Sequence, residues 1–499
     1  MERRRGGMKT WKKIALILAP LAGVVAAPLV LRDNESEGAD EAELRLDVIT
    51  PHTETLRREF GEAFAEYWEK KTGQSVYVNY LVPGGTSECV RVISNGFEAA
   101  EERGEPGCGI DVFFGGGAFD FARQAKLGRF QKLRIFENHP ELFGAGGIPA
   151  TLGGETFYDP EHEWIGCVLS SFGICYNTDL LEDRGLSPPV SWDDLGDPGY
   201  VRGIALADTT KSSSVTKSFE MLVQQKIQQE LAGADAEEDR AVVIARGWET
   251  SLNLIQRIGA NARYFTDSSA KIPRDVAQGN AVAGMCIDFY GRTTSETLKK
   301  ADGSSRLQYI MPPGGSSISV DPVAVLAGAP HADLAQAFVE FILSEEGQML
   351  WTAAPGSTPG PRYRALRRLP IRPDLYQGET LAAMIDGAAM PFEQAKKFSY
   401  DRKLTGHLFS PLKVIIRVMC IDSHDEMKEA WDALIEAGFP EEAQARFFDV
   451  SAVSYDKAGR QIKSTLKKSK VDSVKLMNEL GSFFRANYRE ARRLAEEGR

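Results

Sequence analysis

The chain is poor in the residues and motifs that mark most catalytic and metal-binding proteins. Its 499 residues hold six cysteines and six histidines. The cysteines (89, 108, 167, 175, 286 and 420) form no C-x-x-C pair and show no zinc spacing with histidine. The histidines (52, 139, 162, 331, 407 and 424) form neither H-E-x-x-H nor H-x-H. A G-x-S-x-G elbow, a P-loop and a G-x-G-x-x-G fingerprint are all missing, so the motif-marked hydrolases, nucleotidases and dehydrogenases fall away. Basic residues are outnumbered, 59 against 70 acidic, and the net charge of −11 argues against a nucleic-acid partner. These absences predict a protein that is not an enzyme and carries no cofactor.

What is present begins with one hydrophobic run. Arg3, Arg4, Arg5, Lys9, Lys12 and Lys13 precede an apolar stretch from Ile14 to Leu31, with small residues at Gly23, Ala26 and Ala27. Residues 1–31 therefore read as a signal peptide or an N-terminal anchor, and 32–43 as an acidic tether. Both predict an exported, periplasmic protein. No later stretch approaches a membrane span. In an oxidising compartment Cys89 with Cys108 is the nearest candidate for a disulfide. Cys167 and Cys175, set in apolar runs, read as buried free thiols.

From Leu44 the text alternates between strands and helices. Leu44–Val48 has strand periodicity. Leu56, Phe60, Phe64 and Trp68 then recur every four residues and stop before Gly73, the pattern of an amphipathic helix with a terminal glycine. Residues 75–82 and 110–114 are further strands, each followed by a glycine-rich turn and a helix. In the middle, 164–176 and 203–208 read as strands, 215–231 and the region through Trp248 and Ile258 as helices, and 281–290 as a buried strand. Strand, turn and helix in repetition predict mixed sheets with helices on their faces. Beyond the breaker-rich 355–361, segments 427–437, 440–448 and 470–497 look helical. This extension carries no readable motif; it reads as helices packed around one lobe, with partner docking as the competing use.

Candidate binding residues gather where strands end. In open α/β sheets ligands bind outside the carboxyl ends of the strands, and helix N-termini there offer unpaired N–H groups to anions. Such junctions carry His52; Gly85, Thr86 and Ser87; Gly116 and Gly117; and Thr209, Thr210, Lys211, Ser212 and Ser213. Glycine admits close backbone approach, and hydroxyls bond without bulk.

Trp192-Asp193-Asp194-Leu195, Asp197-Pro198-Gly199-Tyr200 and Gly203–Asp208 resemble a run found in periplasmic solute-binding proteins of ABC importers. So do Phe172–Asp179 and the helix pair from Ala335 to Trp351 with its Ser344-Glu345-Glu346-Gly347-Gln348 turn. The likeness covers Leu44 to Trp351 and is strongest to the branch of ferric-iron, thiamine, sugar-phosphate and aminophosphonate binders. It implies a two-lobed α/β fold of type II, with mixed sheets flanked by helices and a mainly helical C-terminal extension. Lobe 1 would span 44–163, completed by about 309–354. The hinge and lobe 2 would span 164–308, and the linker and extension 355–499. Ser170 and Ser171 would face the cleft from a hinge strand. The expected function is capture of a small solute by a monomer that delivers it to a membrane permease.

Iron-binding members of that family carry two adjacent tyrosines where this chain has Phe289-Tyr290. Tyr290 and Asp288 would be the metal ligands if iron were bound, and the thin donor set makes a phosphorylated or zwitterionic organic solute the favoured ligand. Lys211 or Arg292 would supply counter-charge, and Asp288 and Asp267 would hold an amine or hydroxyls. Thiamine stacked on Tyr264, Phe289 or Tyr290 is an alternative. A solute-binding sensor or scaffold for a membrane receptor is the alternative of another class.

Overall fold

The computed structural model describes residues 42–499. The expected signal or anchor, and nearly all of the tether, lie outside the described residues. β1 (Leu44–Ile49) leads into α1 (Glu54–Thr72), which ends at Gly73 in the left-handed region (φ 78°). β2 (Val76–Leu81), α2 (Thr86–Arg103), β3 (Val112–Phe114) and α3 (Ala118–Ala125) repeat the rhythm. β1 pairs in parallel with both β2 and β3.

The chain then passes through a small hairpin at Thr151–Thr156 into β4 (Ile165–Ser170) and, after Ser171 alone, β5 (Phe172–Asn177). β4 belongs to one sheet and β5 to the other, so the stretch expected as one strand is two strands joined by a crossing between lobes. The second sheet collects β6 (Ile204–Ala207), then α4 (Ser213–Gly233), α5 (Arg240–Asn261), β7 (Ala262–Thr266), β8 (Ala283–Ile287), α6 (Asp288–Thr297) and β9 (Leu307–Ile310). Its order is β9-β5-β8-β6-β7. The strand expected over 281–290 stops at Ile287. Asp288 opens α6 instead, because its carboxylate accepts the Phe289 N–H at 2.8 Å at the positive end of the helix.

β10 (Ser319–Val325) returns to the first sheet and pairs antiparallel with β3 and β4. α7 (Ala332–Leu343) and α8 (Glu345–Thr352) follow, and β11 (Leu369–Pro370) completes the order β11-β4-β10-β3-β1-β2. Two mixed sheets flanked by helices, joined by crossings at Ser171 and between β9 and β10, make the expected two-lobed class.

The extension belongs to both lobes rather than standing apart from them. β11 is an edge strand of lobe 1. The helices α9 (Phe409–Ile416), α10 (His424–Glu436), α11 (Glu441–Phe447) and α12 (Lys470–Glu496) lie against lobe 2. There Trp431, Phe447 and Tyr488 share one apolar core with Trp248, Ile255 and Ile258. The surface that α5 presents away from its sheet is apolar, and these helices cover it.

All six cysteines are free thiols. The expected Cys89–Cys108 pairing fails on geometry. Cys108 packs against Gly96, where an added Cβ would lie 2.8 Å from its own Cβ. Gly96 is seven residues along α2 from Cys89, a rise of about 10 Å, beyond the span of a disulfide.

Candidate functional site

A cavity of about 1050 Å³ lies between the two sheets. Three helices begin at its wall. α2 starts at Thr86 after Gly85, α3 at Ala118 after Gly117, and α4 at Ser213 after Ser212, whose Oγ accepts the Val215 N–H at 3.5 Å. First-turn N–H groups have no partner inside a helix and sit at its positive end, which favours an anion, while Glu88 and Asp120 in the first turns of α2 and α3 oppose one. α2 and α3 come from lobe 1 and α4 from lobe 2. The lobes are close here: a Cβ added to Gly85 would lie 3.7 Å from the Lys211 carbonyl oxygen.

Glycine is required where this wall is tightest. Gly116 has φ 127°, and a Cβ there would meet Thr86 Cγ2 at 2.7 Å. Gly115 has φ 90°, and its Cβ would strike His52 Nε2 at 2.3 Å. His52 itself is 8 % exposed and edges onto Phe114, with ring centroids 4.8 Å apart. Its Nε2 is buried without a hydrogen-bond partner among the described residues. A polar atom in that condition is costly to bury, and Gly115 closes over it.

Burial, then the charges of Arg368 and Arg57, push the His52 pKa well below its usual value. His424 is lowered to about 4, chiefly by burial and then by Lys428. Both imidazoles are therefore neutral in the folded chain at a pH where the unfolded chain protonates them. Unfolding takes up protons below about pH 6.5, so stability is complete above that value and falls as the pH drops toward the lowered folded pKa values. Urea titrations across that range should show the decline, with a shallower slope in His52→Gln. Equal slopes in the two proteins would contradict this placement of His52.

Ten of the sequence-predicted residues line the cavity: His52, Gly85, Thr86, Gly116, Gly117, Lys211, Ser212, Ser213, Asp267 and Tyr290. Seven do not, and most have other partners. Ser87 lies in the first turn of α2 but off the cavity wall. Ser170 Oγ accepts from Arg368 Nη2 at 2.5 Å, and Ser171 Oγ sits 3.3 Å from the Tyr309 hydroxyl. Thr209 Oγ1 donates to the Lys413 carbonyl at 2.8 Å, and Thr210 Oγ1 bonds Asp208 and Arg417. The extension thus covers half of the 209–213 loop. Asp288 and Arg292 form a buried ion pair with each other, which removes both from the cleft.

The sequence reading missed a second cluster on the wall. Lys217 Nζ lies 2.9 Å from Glu155 Oε1 and 3.0 Å from Glu220 Oε2, and 3.9 Å from the centre of the Tyr400 ring. Burial alone would lower the Lys217 pKa; the two carboxylates overcome it and raise it. Ser317 Oγ donates to Glu155 at 2.6 Å, and Tyr400 Oη and Thr405 Oγ1 donate to Glu220 at 2.8 and 2.7 Å. Only the i, i+3 spacing of Lys217 and Glu220 on α4 was visible beforehand. Behind the opposite wall Arg368, 1 % exposed, pairs with Asp321 at 2.6 Å and stacks 4.2 Å over Phe289. Among the described residues, no group of three or more His, Cys, Asp or Glu side chains is placed to hold a metal ion.

A family model described as bacterial extracellular solute-binding protein matches residues 93–367. The chain belongs to that family. It is a solute-binding family and not a catalytic one. The match runs past Trp351 to the residue before Arg368. The solute-binding chain is 27 % identical, over 42 % of its length, to the phosphoglycerate transport regulatory protein PgtC of Salmonella typhimurium, of which it covers 48 %. It is 25 % identical over 65 % of its length to an uncharacterized Haemophilus influenzae protein, covering 80 % of that chain. It therefore spans about half the length of the curated relative PgtC.

A solved extracellular solute-binding protein from Bordetella parapertussis superposes with TM-score 0.50 at 17 % identity, over 75 % of this chain and 98 % of that one, and shows the shared fold. The periplasmic binding protein AfuA of Actinobacillus pleuropneumoniae, solved with fructose-6-phosphate, gives TM-score 0.48 at 19 % identity, over 74 % and 99 % of the two chains. No helix among the described residues is long and apolar enough to cross a membrane.

Proposed function

We propose that this protein is the extracytoplasmic substrate-binding subunit of an ABC importer, and that it traps a small phosphorylated or zwitterionic organic solute between its lobes. The observation that carries the reading is the convergence of three helix N-termini on one cavity. A phosphate or phosphonate oxygen would accept from the first-turn N–H groups of α2, α3 and α4, with Lys211 as counter-charge. Glu88, Asp120 and Glu161 line the same cavity and suit an ammonium group or hydroxyls. PgtC, named for phosphoglycerate transport, supports a phosphorylated solute. Closure is then a population shift, because the solute touches both lobes only when they are shut. The permease would read the closed face.

Iron is the weaker reading. Asp288 is committed to Arg292, and burial raises the Tyr290 pKa, which disfavours the phenolate that Fe(III) needs. Thiamine has Phe289 and Tyr290 on the cavity wall, 4.1 Å apart and tilted, but Arg368 already occupies a face of Phe289. The word regulatory in the name of PgtC favours a sensor role as the second reading.

A thermal-shift panel of phosphorylated sugars, phosphonates, thiamine and ferric citrate tests the assignment. The melting temperature should rise progressively with the concentration of a phosphate or phosphonate compound. A shift with ferric citrate alone, with a visible charge-transfer band lost in Tyr290→Phe, would replace this reading with iron capture.

A further inference from the structure

The segment 395–409 of the C-terminal extension passes between the lobes at the edge of the cavity. At Tyr400 it is tied to lobe 1. The Tyr400 N–H donates to the Gly153 carbonyl at 2.7 Å. The next residue, Gly154, has φ 78°, and a Cβ on it would lie 1.9 Å from the Tyr400 oxygen. The hairpin turn and the segment are thus in backbone contact, and no side chain fits between them. The residues on either side of Tyr400 are tied to α4 of lobe 2. Gln224 Nε2 donates to the Asp401 carbonyl at 2.7 Å and Gln228 Nε2 to the Ser399 carbonyl at 2.8 Å, while Thr405 bonds Glu220. Phe409 then returns to lobe 1, its ring centre 4.9 Å from that of Phe119 on α3.

Tyr400, Arg402, Gly406 and Phe409 all line the cavity. Arg402 is exposed, and its guanidinium makes no ion pair among the described residues, whereas most arginines of the extension have one. A cation left without a partner on the wall of a cavity where three helices begin is available to a ligand. Tyr400 offers a ring face already used by Lys217, and its hydroxyl reaches Glu220, so it couples the wall to the ion pair that joins Glu155 of lobe 1 to α4 of lobe 2.

We propose that residues 395–409 are a third wall of the solute site, with Arg402 contacting the anionic part of the solute and Tyr400 positioning the segment against both lobes. The segment is then a specificity element outside the stretch matched by the family model, which ends at residue 367. The solute class in this inference rests on the function proposed above, so the test has one arm that needs a ligand and one that does not.

In the first arm the full-length protein and its Arg402→Ala, Tyr400→Ala and Arg493→Ala variants are titrated calorimetrically with 3-phosphoglycerate and with fructose 6-phosphate. Arg493 lies on the outer face of the extension and pairs only within its own helix. Loss of a charged contact should weaken binding about tenfold or more in Arg402→Ala at unchanged melting temperature, and leave Arg493→Ala as wild type. Binding by Arg402→Ala equal to wild type would overturn the contact.

The second arm follows deuterium exchange of 395–409 and of 151–156 in the ligand-free protein. Slow exchange in both, accelerated in both by Tyr400→Ala, supports the wall. Exchange of 395–409 at the rate of a free peptide overturns it. If neither probe binds the wild type, the solute class fails while this second arm still decides the wall.

Discussion

A chain ended at Pro361 is expected to lose cooperative folding, not to lose an appendage. The segments after residue 400 supply nearly half of the buried residues of the lobe 2 core. Trp431, 1 % exposed, donates its indole N–H to Asn261 Oδ1 at 2.9 Å and packs on Phe439 and Phe447. Trp248 donates to the Val453 carbonyl at 2.9 Å, and Gln256 to the Phe447 carbonyl at 2.8 Å. Cutting at Pro361 would bare the apolar face of α5 and leave those polar groups facing water or each other. Each large side chain brought back to solvent forfeits about 1.5–3 kcal/mol. A handful of them exceeds the roughly 5–15 kcal/mol that holds a domain folded. Near-ultraviolet circular dichroism during a thermal scan should show no sharp transition for the truncated chain. In the full chain Trp431→Ala should cost about 3–5 kcal/mol in urea titrations. A truncated protein that melts cooperatively near the wild-type temperature would show that the helices only decorate lobe 2.

The second large effect is expected at Lys217. Its ammonium joins Glu155, from the lobe 1 hairpin, to Glu220 on α4 of lobe 2, and the two carboxylates are 8 % and 1 % exposed. Lys217→Met keeps most of the volume but leaves two buried negative charges side by side. Removing one member of such a group costs about 3–5 kcal/mol, because the partners remain desolvated without compensation. The loss should appear as a lowered urea midpoint, and adding Glu220→Gln to the same chain should restore part of it. A neutral Lys217→Met would mean that water enters the cluster freely. The pair also spans the lobes, so the variant should sample the open form more often. Small-angle scattering of the ligand-free protein would report that as a larger radius of gyration.

Much of this fold was legible because its strands and helices obey their periods. The every-fourth-residue pattern of Leu56, Phe60, Phe64 and Trp68 with Gly73 behind it is α1 almost to the residue. The helix starts after Gly85, Gly117 and Ser212 were legible for the same reason, since a glycine or serine turn after a strand is where a helix begins. What failed were judgements that depend on partners distant in sequence. Thr209 and Thr210 have the right chemistry for a ligand, but Lys413 and Arg417 reach them first. Asp288 fails for a local reason: the stretch expected as strand opens a helix there, and that helix brings Arg292, one turn on, to its carboxylate. Lys217, Glu155 and Tyr400 meet across intervals of 62 residues or more, for which no local pattern exists. The extension shows no motif because most of it packs. Its helices repeat apolar residues against α5, and its contribution to the cavity is four residues on one irregular stretch.

The measurement that tests the central claim most directly is calorimetric titration of the ligand-free protein with 3-phosphoglycerate and fructose 6-phosphate against glycerate and fructose. If the three helix N-termini hold a phosphate, at least one phosphorylated compound should bind with one site per chain. Its parent lacking phosphate should bind about a hundredfold more weakly or not at all, since the first-turn N–H groups and Lys211 would then have no phosphate to bond. Equal affinity for a compound with and without its phosphate would contradict the account.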